Sequence, residues 1–528
     1  MGALDASRRE RLAAALLLVL LALTLHAAFV IFLLPRQIDH DEGEYLRGGE
    51  WIASGQVIYR DFFENHMPYL PLILSRMAPT TLDFDALRQY IYHARILTAI
   101  AGTAAALCAG VFAARVAGNA LAAVPAVAVL FLPGPTFMCA IANVRPEAFT
   151  LILFWGGALL IIGRESTLLG GLGAGLAAAG ALWNPKYPLE TAILLIYYAT
   201  SLKGSATRSL IASLMIAFAI PTLVLAVALR VASPGALFFF DSRYSAAFYA
   251  WFRSAHLVGN TFEFNGPFDY CSAWFFPVPA IIAFVTYTAA VVYAWRKSDG
   301  RQRRLAVLLA AFVIAGALEI RFLYSYPRLW PQYFTMWGCS LAALYGTTAA
   351  LALRRYRIAL FALAALAVVA YSAEIVRILR MRIDQSHWVL KAAVLSHLRP
   401  GEAAWLQPFD APFAAPAGSY YWYGFYEQVP FTLAYARTPE GRQWLPQLAE
   451  SDLPPCRMLD AHLHGLAPAQ IYVHFIDELG AKNLPIAKRC TAELIERRFA
   501  RRIGDSTILE VAMPPRRAAI PPTSTSVR

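Results

Sequence analysis

Between Leu12 and Leu34 the chain carries no Asp, Glu, Lys or Arg. This run constrains the fold strongly, because a bilayer core of about 30 Å is crossed by about 20 apolar helical residues. Comparable windows recur at 93–115, 119–140, 146–163, 167–183, 187–202, 208–231, 274–295, 305–322, 333–353 and 358–377. A composition of 58% hydrophobic and 15% charged residues departs from a soluble domain in the same direction. The expectation is an all-α polytopic membrane domain with about 11 transmembrane helices. The first run is too long for the apolar part of a signal peptide and lacks a small-residue cleavage site. It follows the basic "SRRER", so it reads as an uncleaved span with its N-terminus in the cytoplasm.

The excess of 46 basic over 34 acidic residues, net charge +12, raises the question of where the bases lie. Alternation from a cytoplasmic N-terminus puts "GRES" near 163, "SLKGSATR" near 203, "WRKSDGRQRR" near 300 and "RRYR" near 355 on one side. All four are basic, which is the asymmetry of cytoplasmic loops and calls for no nucleic-acid partner. The other side receives the longer connections 35–92 and 232–273, a turn at 323–332, and everything after 377.

The division expected is a transmembrane domain over 1–377, a small extracytoplasmic α/β domain over 378–515, and a disordered tail over 516–528. The C-terminal region mixes charge, proline turns and the aromatic "GSYYWYGFYEQ". Cys108, Cys139, Cys271 and Cys339 fall in or beside apolar runs without metal-ligand spacing and read as small core residues. Cys456 and Cys490 lie in the polar segment, and on an oxidising side a disulfide between them is favoured over two free thiols.

Directly after the first span comes "IDHDEGEYLRGGEWIASGQVIYRDFFENHMPYLPLIL", Ile38 to Leu74. Its spacing predicts two helices along the membrane surface, one ended by Gly55, the other running through "RDFFENHMPYLPLIL" with its apolar end toward lipid. Headgroup-level aromatics would account for Tyr45, Trp51, Tyr59 and Tyr69. The crowded Asp39, Asp41, Glu42 and Glu44 call for a basic or metal partner or a chemical role, such as a general base for an incoming hydroxyl or amine. Isolated charges gather at the outer ends of the spans: Arg145 and Glu147, Lys186 and Glu190, then Glu319, Arg321, Arg328 and Gln332. Groups at such depth are costly and are paired or functional. Several cations together suit a phosphate-bearing ligand, with snorkelling or pairing to a neighbouring acid as the bland reading of each one.

At "DHDEGEY", followed by "YRDFFENHMPYLPLIL", "NPKY" and "YPRLWPQYF", the sequence resembles the GT-C membrane glycosyltransferases, specifically the family 39-like group of protein O-mannosyltransferases and lipid A aminoarabinose transferases. The resemblance implies a polyprenyl-phosphate sugar donor, an extracytoplasmic glycan, lipid or protein acceptor, and a bacterial inner membrane as location. It assigns Asp41 as catalytic base with Glu42 beside it, and Tyr45 as a donor contact. Lys186, Arg145 and Arg328 are the cations for the leaving phosphate, and Glu64, His66, Tyr69 and Tyr333 are substrate contacts. Relatives carry Lys before the proline where this chain has His66-Met67-Pro68, which moves the phosphate contact to Lys186 or Arg328. No cofactor is required; Glu64 and His66 offer only two ligands to a divalent metal.

Three rivals stay open at this stage. A lipid-linked sugar flippase wants cations and spans without a catalytic acid. An O-antigen ligase-like enzyme places its bases in a later loop, and 232–273 holds Asp241, Arg243, Arg253, His256 and Glu263. A scaffold would use its C-terminal domain to bind a partner.

Overall fold

The computed structural model describes residues 2–28, 34–35, 38, 40–58, 62, 67–79, 83–131, 143–163, 167–202, 205–231, 234–254, 284–289, 291–292, 300–320, 335–353 and 356–380. Beyond these it describes 388, 392, 403–405, 429–444, 470–474, 500–502 and 508–512. The first span becomes helix α1 (Gly2–Ala28). The outer loop contributes α2 (His40–Ala53) and α3 (Tyr69–Leu74). Then come α4 (Phe84–Ala117), a 3-10 turn at Ala120–Ala122, and α5 (Ala123–Phe131). The bundle continues with α6 (Glu147–Gly163), α7 (Thr167–Trp183), α8 (Pro188–Ser201) and α9 (Thr207–Val231). A short segment follows: α10 (Pro234–Phe238), one π turn at Phe239–Tyr244, and α11 (Ser245–Ser254). Helices α12 (Gly300–Leu318), α13 (Thr335–Ala352) and α14 (Arg357–Leu379) complete the apolar part.

Two helices among the described residues, α4 and α9, are at once long enough and apolar enough to cross a bilayer, and five further apolar helices are shorter. Their surfaces identify the solvent. On α9, Met215, Phe218 and Leu223 are 67%, 70% and 68% exposed, and α1 turns Leu12, Leu16, Val19 and Leu23 outward at helical spacing. Soluble monomers rarely leave so much contiguous apolar surface uncovered. These are faces made for acyl chains, and the protein is an integral membrane protein.

Close packing in the bundle depends on small residues, since lipid tails are as apolar as Leu and hydrophobic burial alone cannot join the helices. Helix α7 is glycine-rich on two sides. A Cβ at Gly173 would collide with the Gly157 carbonyl of α6, and one at Gly171 with the Ser213 carbonyl of α9. The core between α4, α6 and α12 is aromatic: Trp155 meets Phe112, Phe154 and Phe312 edge-on at 5.4–5.9 Å between centroids.

The outer loop departs from its expected surface placement. Helix α2 forms and ends at Gly55, whose φ of 89° suits glycine, as the spacing predicts. The second helix, however, starts only at Tyr69, after Pro68, while Ile58 and Phe62 form an isolated β-bridge. Tyr69, Leu70, Pro71 and Leu74 are buried, so its apolar side turns into protein instead of lipid. Tyr45 packs with Leu46, Leu70, Leu74, Tyr90 and Val144. Trp51 packs with Phe62, Tyr69, Phe240 and Phe431. Both aromatics are buried, because neighbouring segments cover the loop. Helices α15 (Val429–Ala436) and α16 (Pro439–Trp444) provide part of that cover, through Phe431 on Tyr244 and Phe248 and through Trp444 stacked on Phe239.

The C-terminal region also holds β1 (Ala403–Trp405), β2 (Gln470–His474), β3 (Ala500–Arg502) and β4 (Ile508–Ala512) in one sheet of order β1-β2-β4-β3. Strands β1 and β2 run parallel and the other pairs antiparallel, with Tyr472 opposite Glu510 and Glu510 opposite Arg501. Cys456, Cys490 and the segment 516–528 lie outside the described residues.

Candidate active site

The acid cluster finds its basic partner in α4. Arg95 donates from Nε to Glu42 Oε1 at 2.8 Å and from Nη2 to Glu42 Oε2 at 2.7 Å, and both side chains are fully buried. A third donor, Nη1, reaches the Leu34 carbonyl at the end of the first span. The amide of Val144 adds a 3.2 Å bond to Glu42 Oε1. With a bidentate guanidinium and a backbone amide on it, Glu42 does not stand open as a base. It ties the start of α2 to α4 and to the loop before α6. Asp41, one residue earlier in the first turn of α2, stands about 100° around the helix axis from Glu42, on the face of Glu44 and Tyr45. The side chain of Asp41 lies outside the described residues, as do Glu64, His66, Arg328 and Tyr333.

The tie to Val144 brings the next charged group alongside. Arg145, directly before α6, is buried, and Glu147 in the first turn of α6 accepts from Lys186 Nζ at 2.7 Å. The Lys186 side chain is 23% exposed against 1% for Glu147. Lys186 thus reaches from the α7–α8 turn toward open space while its partner stays inside. Tyr69 stacks on Trp183 with centroids 5.2 Å apart, and Trp183 on Phe149 at 5.6 Å, so α3 closes one wall. Tyr187 Oη and Thr335 Oγ1 are 2.8 Å apart, which adds the start of α13. Next to them the Leu189 amide donates to Glu319, the neighbour of Glu190.

Helices α2, α6, α8 and α13 all begin at this cluster. Pro146 and Pro188 stand immediately before and at the start of α6 and α8, where a missing N–H costs nothing. Four N-termini aim positive dipole ends at one region, and their first-turn acids, Asp41, Glu42, Glu147 and Glu190, follow the same field. Arg145 and Lys186 are the cations here, set against the acids Asp41, Glu147 and Glu190, so it is the helix N-termini that favour an anion.

One turn further along α2, Arg47 and Glu50 form a buried pair at 3.1 Å, with Arg47 over the Trp51 ring. Burial pushes the Glu50 carboxyl up to about 7 against the opposing pull of Arg47, and burial lowers the Arg47 guanidinium despite Glu50. Both directions say that desolvation outweighs the pairing.

The structure therefore brings Glu42, Tyr69, Arg145 and Lys186 together and puts Tyr45 in the adjoining apolar cluster. Sequence reasoning missed Arg95, although an arginine two places inside the apolar window 93–115 is itself a signal of a partner. Among the described residues no three His, Cys, Asp or Glu side chains gather in a metal-binding group.

No protein-family profile matches the sequence, and a comparison with curated proteins finds no match. Solved structures do match over nearly the whole chain. ArnT from Cupriavidus metallidurans, bound to undecaprenyl phosphate, superposes with a TM-score of 0.54 at 14% identity, covering 94% of this chain and 98% of that one. Its apo state gives the same TM-score and identity with 95% and 98% covered. The fold is thus shared with ArnT over nearly the whole chain, and the chain has the GT-C membrane fold.

Proposed function

We propose that the protein is an inverting glycosyltransferase that moves a monosaccharide from a polyprenyl-phosphate donor to an extracytoplasmic glycan, lipid or protein acceptor. One observation carries the reading: the helix bearing Asp41 is locked by Glu42 and Arg95 onto the same cluster that holds Arg145 and Lys186. The shared fold with an ArnT structure holding undecaprenyl phosphate supports the donor class.

In this mechanism Asp41 accepts the proton of the acceptor hydroxyl or amine as the acceptor attacks the anomeric carbon. The bond from that carbon to the phosphate oxygen breaks, and the electron pair leaves with the lipid phosphate. Lys186, Arg145 and Arg328 meet the growing charge, aided by the helix N-termini. A single displacement inverts the anomeric centre and needs no covalent sugar intermediate. Tyr45, Tyr69, Tyr333, Glu64 and His66 shape the donor and acceptor subsites, and no step requires a metal. The active face lies outside the cytoplasm of a bacterial inner membrane, with about 11 spans over 1–377 and an extracytoplasmic domain over 378–515.

The test is transfer of radiolabelled sugar from membrane polyprenyl phosphate with wild type and Asp41→Asn at matched expression. General-base loss reduces transfer by about 10²–10⁴-fold, with accumulation of donor lipid. Unchanged labelling in Asp41→Asn refutes the assignment and turns attention to transport.

A further inference from the structure

At the end of the bundle remote from the candidate site, α8 and α12 part to leave a groove of about 430 Å³. The two helices run antiparallel. Leu189 meets Glu319 at the site end, and Thr200 and Tyr197 face Arg303 and Arg304 at the other. The walls are apolar, from Ile193, Ile196, Val307, Leu308 and Ala311. Ile196 and Val307 are 64% and 57% exposed, so the groove opens to the outside of the bundle. Its other end is cationic. Helix α12 opens with Arg301, Arg303 and Arg304 and turns apolar at Leu305, so the cations stand at one end of its apolar stretch.

We infer that this groove is a site for an anionic phospholipid of the bilayer, with one acyl chain along Ile193–Ala311 and the phosphate at Arg303 and Arg304. A guanidinium pair offers forked donors suited to phosphate oxygens, and basic pockets between membrane helices select anionic headgroups. A protein helix is a poor fit. At about 10 Å across and 5.4 Å per turn it would occupy roughly 420 Å³ per turn, so the groove would hold a single turn of it. Arg301, in the same turn, donates to the Ile162 carbonyl at the end of α6. The inference rests on the membrane placement of α8 and α12 and not on the transfer reaction.

Native mass spectrometry of the full-length protein, exchanged into phosphatidylcholine and titrated with phosphatidylglycerol, tests it. Wild type retains phosphatidylglycerol at one saturable site in preference to phosphatidylcholine. Arg303→Gln with Arg304→Gln weakens that retention by about fivefold per arginine, about 25-fold for both, and leaves phosphatidylcholine binding unchanged. Ala311→Trp, which fills the apolar part, removes the saturable site. Arg208, exposed at the start of α9, is the control. An equal loss in Arg208→Gln means diffuse surface attraction and overturns the groove, as does the absence of any saturable preference. Displacement of phosphatidylglycerol by equimolar polyprenyl phosphate reassigns the occupant and overturns the phospholipid.

Discussion

Arg95 is the residue on which the placement of the outer loop depends most directly. Replacing it with Met removes both guanidinium bonds to Glu42 and the bond to the Leu34 carbonyl, and leaves a fully buried carboxylate without its guanidinium. Breaking a buried ion pair by removing one partner costs about 3–5 kcal/mol, whereas replacing both partners by apolar groups of similar volume is often neutral. The expected order is therefore Arg95→Met severely destabilised, Glu42→Leu likewise, and Glu42→Leu/Arg95→Met close to wild type, with a coupling of about 3 kcal/mol or more. Unfolding of the detergent-solubilised protein by increasing SDS, followed by far-UV circular dichroism, measures the four corners of that cycle. Additivity of the two single variants within about 0.5 kcal/mol would show that the pair does not hold α2 and would remove the reason for placing Asp41 at the cluster. The double variant carries a second reading, since a restored fold with lost transfer would mean that the pair also sets the position of Asp41.

Other consequences follow from the same geometry. Lys186→Met should lower transfer by about 10²–10³-fold through kcat, the effect of losing one charge-stabilising donor, while Lys186→Arg retains most of it; equal losses in the two would mean that charge at 186 is not the feature that matters. Glu50 sets a pH dependence. Its folded pKa of about 7 lies above the ordinary 4.5, so its contribution to stability is complete below 4.5 and is lost as pH rises through 7. The loss approaches ~3 kcal/mol at 1.36 kcal/mol per unit, and Glu50→Gln should flatten the fall in detergent stability between pH 5 and 8. Neighbouring glycines of α6 should separate cleanly: Gly157→Ala meets the Gly173 carbonyl of α7 and costs about 1–3 kcal/mol, while a Cβ at Gly156 meets nothing within 4 Å and Gly156→Ala leaves the unfolding midpoint in place.

Much of the helix pattern was legible in the amino-acid order, for a physical reason. A bilayer demands continuous apolar helical runs, and such runs announce themselves without any tertiary information. Windows at 146–163, 167–183 and 187–202 return as helices within a residue of their bounds, Glu147–Gly163, Thr167–Trp183 and Pro188–Ser201. Gly55 marked the end of α2 because a left-handed residue closes a helix at little cost when it has no Cβ. The isolated charges at 145, 147 and 186 were conspicuous because charges so near lipid require a partner or a task.

What those charges touch was decided only by the fold. Amphipathic spacing in α2 and α3 is equally compatible with a headgroup surface and with a cover of protein, and it was the helices at 234–254 and 429–444 that buried Tyr69 and Trp51. Glu42 and Asp41 are adjacent acids in the sequence, but Glu42 meets an arginine 53 positions later, and only tertiary structure commits it to Arg95. Local order determines which segments are helical because periodicity and lipid solvation act residue by residue. Pairing depends on which faces meet after α2, α4 and α6 converge, and no short-range pattern encodes that meeting.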